Sequence, residues 1–329
     1  MDPPTVSAAL MSHAGQTEPI MPDFDAVRRS LSEDETTPVA LARAFNGVRS
    51  RQELDKELID ARRKVAANPN SAVAHLCLAD ALRHCGDVAG AIAIYRRFAE
   101  VQSPEIAVSA RYFLAALGAS EQPATAPELY VSTLFNEFAD GFEHYLVQVL
   151  KYQGPFALHR AVRAVLGDST QELDIMDAGC GTGLCGQMFQ PMARRLDGVD
   201  ISEKMLVHAR KKRIYDSLIR GELCGVIRTL PGAYDLVVAG DVLIYLGEPA
   251  AVLDAVAGAL RPAGLFAFTT ERTASGCRLI ENGRYQHADA YIEAAAAGAG
   301  YDVVRRDDFM VRFEEGEMVD GAVFVLARV

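Results

Sequence analysis

The chain has 329 residues, half of them hydrophobic and 23% charged, an ordinary globular composition with room for two domains. A formal net charge of −11 excludes a protein that tracks nucleic-acid phosphates through a broad basic face. No apolar run reaches the roughly 18 residues needed to cross a bilayer, and the six cysteines contain no CxxC pair, so neither a membrane span nor a metal site is expected.

The opening residues, 1–22, are rich in Pro, Ser, Thr and Gly and carry little apolar pattern, which predicts a disordered tail. They lack a basic segment followed by an apolar one, so no secretory leader is expected. Scattered, unpaired cysteines fit a reducing, cytoplasmic setting.

Residues 23–119 read as a small, strand-poor helical domain. Within it, Ala72 to Ser103 carries a helix–turn–helix pattern: Leu78, Ala79 and Leu82 share one face, Gly86-Asp87 forms the turn, and Ala91 and Tyr95 line a second helix. Pro69 stops the helix before it. A Pro/Ala/Thr stretch over 120–127 reads as a linker.

From 128 onwards, apolar runs bounded by Gly or Asp alternate with helical patterns, the signature of a doubly wound α/β sheet. A helical entry segment spans Tyr130 to about Leu166. Strands are expected at Leu173–Ala178, Leu196–Asp200, Leu218–Glu222, Tyr234–Ala239, Leu265–Thr270, Tyr301–Arg306 and Ala322–Val329. Ser202 is placed to N-cap the helix after the second strand. The last two strands have no helix between them, which implies an antiparallel hairpin at the sheet edge.

The sharpest local feature is DAGCGTG, Asp177 to Gly183, directly after the first strand. Glycines there permit positive φ and let a ligand lie against bare backbone. Gly181, Gly183 and Gly186 also spell the dinucleotide pattern GxGxxG. A carboxylate two residues before the first glycine would repel a pyrophosphate, whereas it suits a cationic ligand end. Asp200 closes the second strand, where a carboxylate can accept both ribose hydroxyls; this suits either ligand.

Together with GVDIS (Gly198 to Ser202), Met205, YDLVVAGDVLIY (Tyr234 to Tyr245) and LRPAG (Leu260 to Gly264), this loop resembles the class I S-adenosylmethionine-dependent methyltransferases. The helical pattern is similar to a tetratricopeptide repeat. Phe98 departs from it where a small residue is usual, and Ser103-Pro104 shifts the closing proline by one. The combination resembles bacterial predicted methyltransferases carrying such repeats.

The resemblance implies a seven-stranded Rossmann-like methyltransferase sheet after an all-α repeat-like domain. It implies S-adenosylmethionine as cofactor, with Gly179, Gly181 and Gly183 under its methionine and ribose parts; Asp177 would then serve its ammonium end, directly or through the backbone it orients. Asp200 would hold the ribose, with Ile201 and Met205 against the adenine. Glu222 and Leu223 match a Gly-Asp-Leu position and would meet the adenine edge. Gly240 and Asp241 would meet the methionine ammonium.

LFNEFADGF, Leu134 to Phe142, resembles a helix laid over the cofactor. Phe138 stands where many relatives have Tyr, and Tyr130 or Tyr145 are alternatives for that contact. Phe135, Phe138 and Phe142 share one helical face, which fits either a lid or plain core.

Tyr245 and His287 are the candidate catalytic residues; Tyr285, His144 and Glu271 lie in segments that rim the same pocket. The expected reaction is methyl transfer to an oxygen or nitrogen of a protein, carrier-bound or small-molecule acceptor. The helical domain would dock substrate or mediate a homodimer. A non-catalytic cofactor-binding scaffold is the alternative.

Overall fold

The computed structural model describes residues 51–167, 172–314 and 317–329. The expected tail over 1–22 lies outside the described residues. Residues 23–50 of the expected helical domain lie outside them too; from residue 51 the described N-terminal part is an array of four helices, α1 (Arg51–Ala67), α2 (Ala72–His84), α3 (Val88–Phe98) and α4 (Pro104–Ala116), each packed on the next. Local chemistry sets their ends. Ser71 caps α2 by accepting from the Ala74 amide, and Asp87 caps α3 by accepting from that of Gly90. Between them Gly86 takes φ +83°, a turn conformation that a side chain would strain. Ala79, Ala91 and Ala110 are fully buried and let the helices approach closely, while Tyr95 stacks on Phe113 at 5.6 Å.

Residues 120–127 do not run free after the array. The Ala126 amide donates to the Tyr245 carbonyl at 2.8 Å, and the Glu248 amide donates back to the Ala124 carbonyl at 2.9 Å. Tyr285 and Leu279 bond to Pro123 and Gln122 in the same stretch. The segment is a strap pinned along the second half of the chain.

Helix α5 (Glu128–Phe138), a short turn Phe142–His144 with the π-turn Tyr145–Val149, and α6 (Gly154–Leu166) lead into the sheet. Its strands are β1 (Leu173–Ala178), β2 (Ala193–Asp200), β3 (Ser217–Arg220), β4 (Tyr234–Ala239), β5 (Leu260–Arg272), β6 (Cys277–Leu279), β7 (Tyr285–His287), β8 (Tyr301–Glu314) and β9 (Glu317–Arg328). Helices α7 (Leu184–Phe189), α8 (Glu203–Lys212), α9 (Leu223–Ile227), α10 (Ala250–Ala259) and α11 (Asp289–Gly298) complete the fold.

The order β3-β2-β1-β4-β5 is parallel; β9 joins β5 antiparallel and β8 pairs β9. All seven expected strands are present. The seven-strand expectation is nonetheless short by two, because β6 and β7 form a hairpin that extends the end of β5. Each is three residues long, too short to show a period of two.

One face of the sheet is covered by α9, α10 and α11 around Phe266, Phe268 and Phe324. The other is covered by α6 and α7 around Leu158, Ile175 and Phe189. Burying each such phenylalanine contributes roughly 2–3 kcal/mol. A third cluster joins the array to the sheet: Tyr112 and Phe113 of α4 pack with Tyr130 and Leu134 of α5, with Leu279 and with Tyr285. No helix among the described residues is long and apolar enough to cross a membrane.

Candidate active site

Where β1 ends, the chain must reverse into α7 within a few residues. Gly179, Gly181 and Gly183 take φ of +72°, +54° and +95° to do so. A Cβ on Gly179 would sit 2.4 Å from Val242 Cγ2, so only bare backbone fits between the loop and the segment after β4. The amides of Gly179 and Cys180 both donate to the Val199 carbonyl, at 2.8 and 2.9 Å, which stitches the loop to β2.

Asp200, at the end of β2, organises this corner. Its Oδ2 accepts from the Gly181 amide and its Oδ1 from the Ser202 amide, each at 2.8 Å. Burial pushes its carboxyl above the usual range, opposed by those amides. Ser202 caps α8 through the Met205 amide and donates its hydroxyl to Asn136 of α5. The helix over the cleft is thereby tied to the same corner.

The loop opens into a cleft of about 240 Å³, outside the carboxyl ends of β1, β2 and β4, where open α/β sheets bind ligands. Its roof is aromatic: Phe138 meets Phe142 at 5.5 Å and Tyr145 at 5.7 Å, and Phe135 meets Tyr245 at 5.5 Å, all edge-on. Thr182 lines this space, and its hydroxyl is buried without a hydrogen-bond partner among the described residues.

Behind the far wall lies a buried ion cluster. Asp241 follows β4 with φ +55°, its amide donating to Thr269 at 2.8 Å and its Oδ1 accepting the Thr269 hydroxyl at 3.0 Å. Arg312 of β8 reaches Asp241 Oδ2 at 3.1 Å and also binds Glu271 and Glu314. Arg284 takes Glu314 in a two-pronged grip at 2.7 and 3.0 Å and approaches Glu271 at 3.4 Å. Burial alone would raise the Glu314 carboxyl; Arg284 and Arg312 outweigh it and hold it at about 2.

Residues 176–266 match the family described as Methyltransferase domain. Over those residues the chain carries a methyltransferase domain. Among similar curated proteins, a ubiquinone biosynthesis O-methyltransferase of Idiomarina loihiensis is 31% identical over 100 residues, 29% of this chain and 41% of that protein. A malonyl-[acyl-carrier protein] O-methyltransferase of Halalkalibacterium halodurans is 35% identical over 105 residues, 29% of this chain and 38% of that protein. The chain thus spans about two fifths of the length of these curated relatives. A solved magnesium protoporphyrin IX methyltransferase from Synechocystis is 20% identical with a TM-score of 0.47, covering 61% of this chain and 99% of that one.

Within the methyltransferase domain, Gly179, Gly181, Asp200, Ile201, Glu222, Leu223, Gly240, Asp241 and Tyr245 line the cleft. Asp177, Gly183 and Met205 do not. Asp177 is buried beneath the loop, where its Oδ2 accepts the Tyr215 hydroxyl at 2.6 Å; burial pushes its carboxyl up to about 7. Gly183 starts α7, and Met205 is buried on α8.

Glu222 lines the cleft, yet both carboxylate oxygens are engaged as the N-cap of α9, accepting from the Cys224 and Gly225 amides at 2.8 and 2.6 Å. The cap does not exclude the expected contact with an adenine amino group, because each oxygen keeps a further lone pair. His287 is corrected outright. It is fully buried away from the cleft, its Nε2 bonds the Leu246 carbonyl at 2.8 Å, and its ring stacks on Tyr291. Burial holds it neutral, with no route to a bound acceptor. Tyr285 also points away, to the Pro123 carbonyl. Asn282, Arg284 and Arg312, which do face the cleft, belong to no sequence motif; a lone arginine inside the apolar run FMVRF is the one available hint.

Proposed function

We propose that this protein transfers a methyl group from S-adenosylmethionine to an oxygen or nitrogen of an acceptor held in the aromatic half of the cleft. The observation that carries the reading is Asp200, held by two backbone amides at the lip of a cleft floored by side-chain-free glycine backbone. Each of its oxygens keeps a lone pair for a ribose hydroxyl.

The residues present fit the cofactor. Gly179 and Gly181 offer bare backbone, Thr182 an unsatisfied hydroxyl, and Asp241 a carboxylate for the methionine ammonium. Ile201 and Leu223 supply apolar walls for the adenine, with Met205 behind them. Asp177 and Gly183 shape the loop from below. The bound cofactor supplies a sulfonium-activated methyl, so the protein contributes chiefly alignment and exclusion of water.

Tyr245 faces the same space, and burial raises its hydroxyl. That suits it to orient an acceptor as a hydrogen-bond donor better than to remove a proton. The aromatic roof over Phe135, Phe138 and Phe142 closes the cleft.

The array over 51–116, the described part of the helical domain expected over 23–119, is strapped by 120–127 to the catalytic part at 128–329 and serves in this reading as a repeat-like docking module. Its acceptor would be a protein or carrier-bound group; the carrier protein in one relative's name and the O-methyltransferase names favour an oxygen on such a group. Dimerisation through the array, a free metabolite acceptor or a non-catalytic scaffold are the competing outcomes, and a cytoplasmic location is part of the same proposal. Lysate incubated with the protein and methyl-labelled S-adenosylmethionine, read by mass spectrometry, tests it. A labelled polypeptide or carrier-bound group supports docking, a labelled free metabolite removes the docking role, and no label above background removes the activity.

A further inference from the structure

Two threonines follow one another near the end of β5, and they differ in what they hold. Thr269 and Thr270 are both buried, 0% and 1% exposed. The Thr270 hydroxyl has no hydrogen-bond partner among the described residues. That of Thr269 directs both its capacities at one residue: it accepts from the Asp241 amide at 2.8 Å and donates to Asp241 Oδ1 at 3.0 Å. β5 runs beside β4 as far as Phe268 opposite Ala239, so Thr269 stands level with the Gly240-Asp241 turn.

That turn needs an outside hold. Asp241 takes φ +55°, a left-handed conformation that a residue with a side chain adopts only where its surroundings impose it. Gly240 before it is packed so closely that a Cβ would lie 2.6 Å from Cys185 Sγ and 3.3 Å from the Tyr152 hydroxyl. Both residues line the cleft, whereas Thr269 does not. Burial, with Glu271 nearby, pushes the Asp241 carboxyl up; Arg312, the Thr269 hydroxyl and Arg284 pull it back. Thr269, Arg312 and Tyr152 leave that carboxylate one of its roughly four acceptor sites for a ligand.

We propose that Thr269 is a positioning residue for the amino-acid end of the cofactor, closing a two-bond ring on Asp241 that sets the turn before the ligand arrives. The proposal rests on the cofactor reading above and adds to it the residue that aims the polar end of the cleft. Thr269 touches no ligand and acts through Asp241. A turn fixed in advance spares the ligand the ordering cost when it binds.

Calorimetry on the full chain with two probes tests this. S-adenosylhomocysteine carries the whole amino-acid end, and methylthioadenosine has the same adenosine and sulfur without it. Thr269→Val removes the hydroxyl and should weaken S-adenosylhomocysteine about tenfold, the size of one hydrogen bond to a charged group. In the same variant methylthioadenosine affinity should stay within about twofold, because its contacts lie elsewhere in the cleft. Thr269→Ser restores the hydroxyl and should return S-adenosylhomocysteine to within about threefold of the unaltered protein. Thr270→Val removes a neighbouring hydroxyl that holds nothing among the described residues and should leave both probes unchanged. Amide exchange read by NMR adds a test on the unaltered protein, where the Asp241 amide should be protected before any ligand is added.

Equal weakening of both probes by Thr269→Val, or no recovery in Thr269→Ser, would overturn the proposal, since a threonine that merely fills space would behave that way. So would an Asp241 amide that gains protection only when S-adenosylhomocysteine is added, whether or not the valine variant folds. An unchanged S-adenosylhomocysteine constant in Thr269→Val would remove the positioning role and leave the cofactor reading standing. If the unaltered protein binds neither probe, the cofactor reading itself fails and the positioning role falls with it.

Discussion

The hydroxyl of Tyr112 donates to the carbonyl of Gly283 at 2.9 Å, joining the last helix of the array to the turn of the β6–β7 hairpin across 171 residues. Gly283 sits at φ +79°, where a Cβ would lie 3.1 Å from the Tyr130 hydroxyl. Its neighbours Asn282 and Arg284 both face the cleft. The array therefore buttresses one wall of the site. Tyr112→Phe should lower stability by about 1–3 kcal/mol, because a buried carbonyl loses its donor. Hydrogen exchange over 280–285 should rise in the same variant. Unchanged exchange there would mean that the turn is held by the sheet alone.

The roof is the next point of control. Phe138, Phe142, Tyr145 and Leu150 form a small apolar cluster of their own, separate from the two that sandwich the sheet. Such a unit can open without unfolding the rest. Exchange across Leu134 to Leu146 should slow when S-adenosylhomocysteine is added, beyond any global effect. Phe138→Ala should weaken S-adenosylhomocysteine affinity more than it lowers the melting temperature of the free protein. Equal protection with and without ligand, and a large loss of stability in the free variant, would make these phenylalanines ordinary core.

Asp177 gives a pH signature. Burial raises its carboxyl from 3.8 to about 7. Below about pH 4 both folded and unfolded chains hold the proton; between about 4 and 7 only the folded chain keeps it. Stability from this group therefore falls as pH rises through that window, and the full penalty is present above it. Asp177→Asn keeps an acceptor for the Tyr215 hydroxyl and removes the titration. Between pH 5 and 8 its unfolding free energy should gain on that of the unaltered protein by about 2–3 kcal/mol, since each pH step crossed inside the window is worth roughly 1.4 kcal/mol. Asp174 and Glu314, held at about 2, add no slope in this range. Parallel pH profiles for the two proteins would contradict the assignment.

Much of this architecture is legible in local patterns. The glycine loop, the strands β1 and β4 and the Ser202 cap all appear where short-range chemistry requires them. Asp200 is legible for the same reason, as a carboxylate at a strand end beside that loop. What escapes depends on distance along the chain. Arg312 meets Asp241 across 71 residues and Arg284 meets Glu314 across 30, and no periodicity announces such pairs. The stretch 120–127 has a linker's composition; its backbone bonds to Ala124 and Ala126 make it a strap. The position of His287 after β5 suggests the cleft rim, whereas β7 turns it inward against Leu246. Glu222 has a role that its position alone does not announce: it lines the cleft and also caps the next helix through two amides.

The central claim is that Asp200 and the glycine loop form a nucleoside site for S-adenosylmethionine. Titration calorimetry of S-adenosylhomocysteine and of NAD against the unaltered protein and Asp200→Ala tests it most directly. The account predicts measurable binding of S-adenosylhomocysteine, none of NAD, and a loss of about 1–3 kcal/mol in the variant as the ribose contacts disappear. Preference for NAD, or an unchanged dissociation constant for S-adenosylhomocysteine in Asp200→Ala, would contradict it.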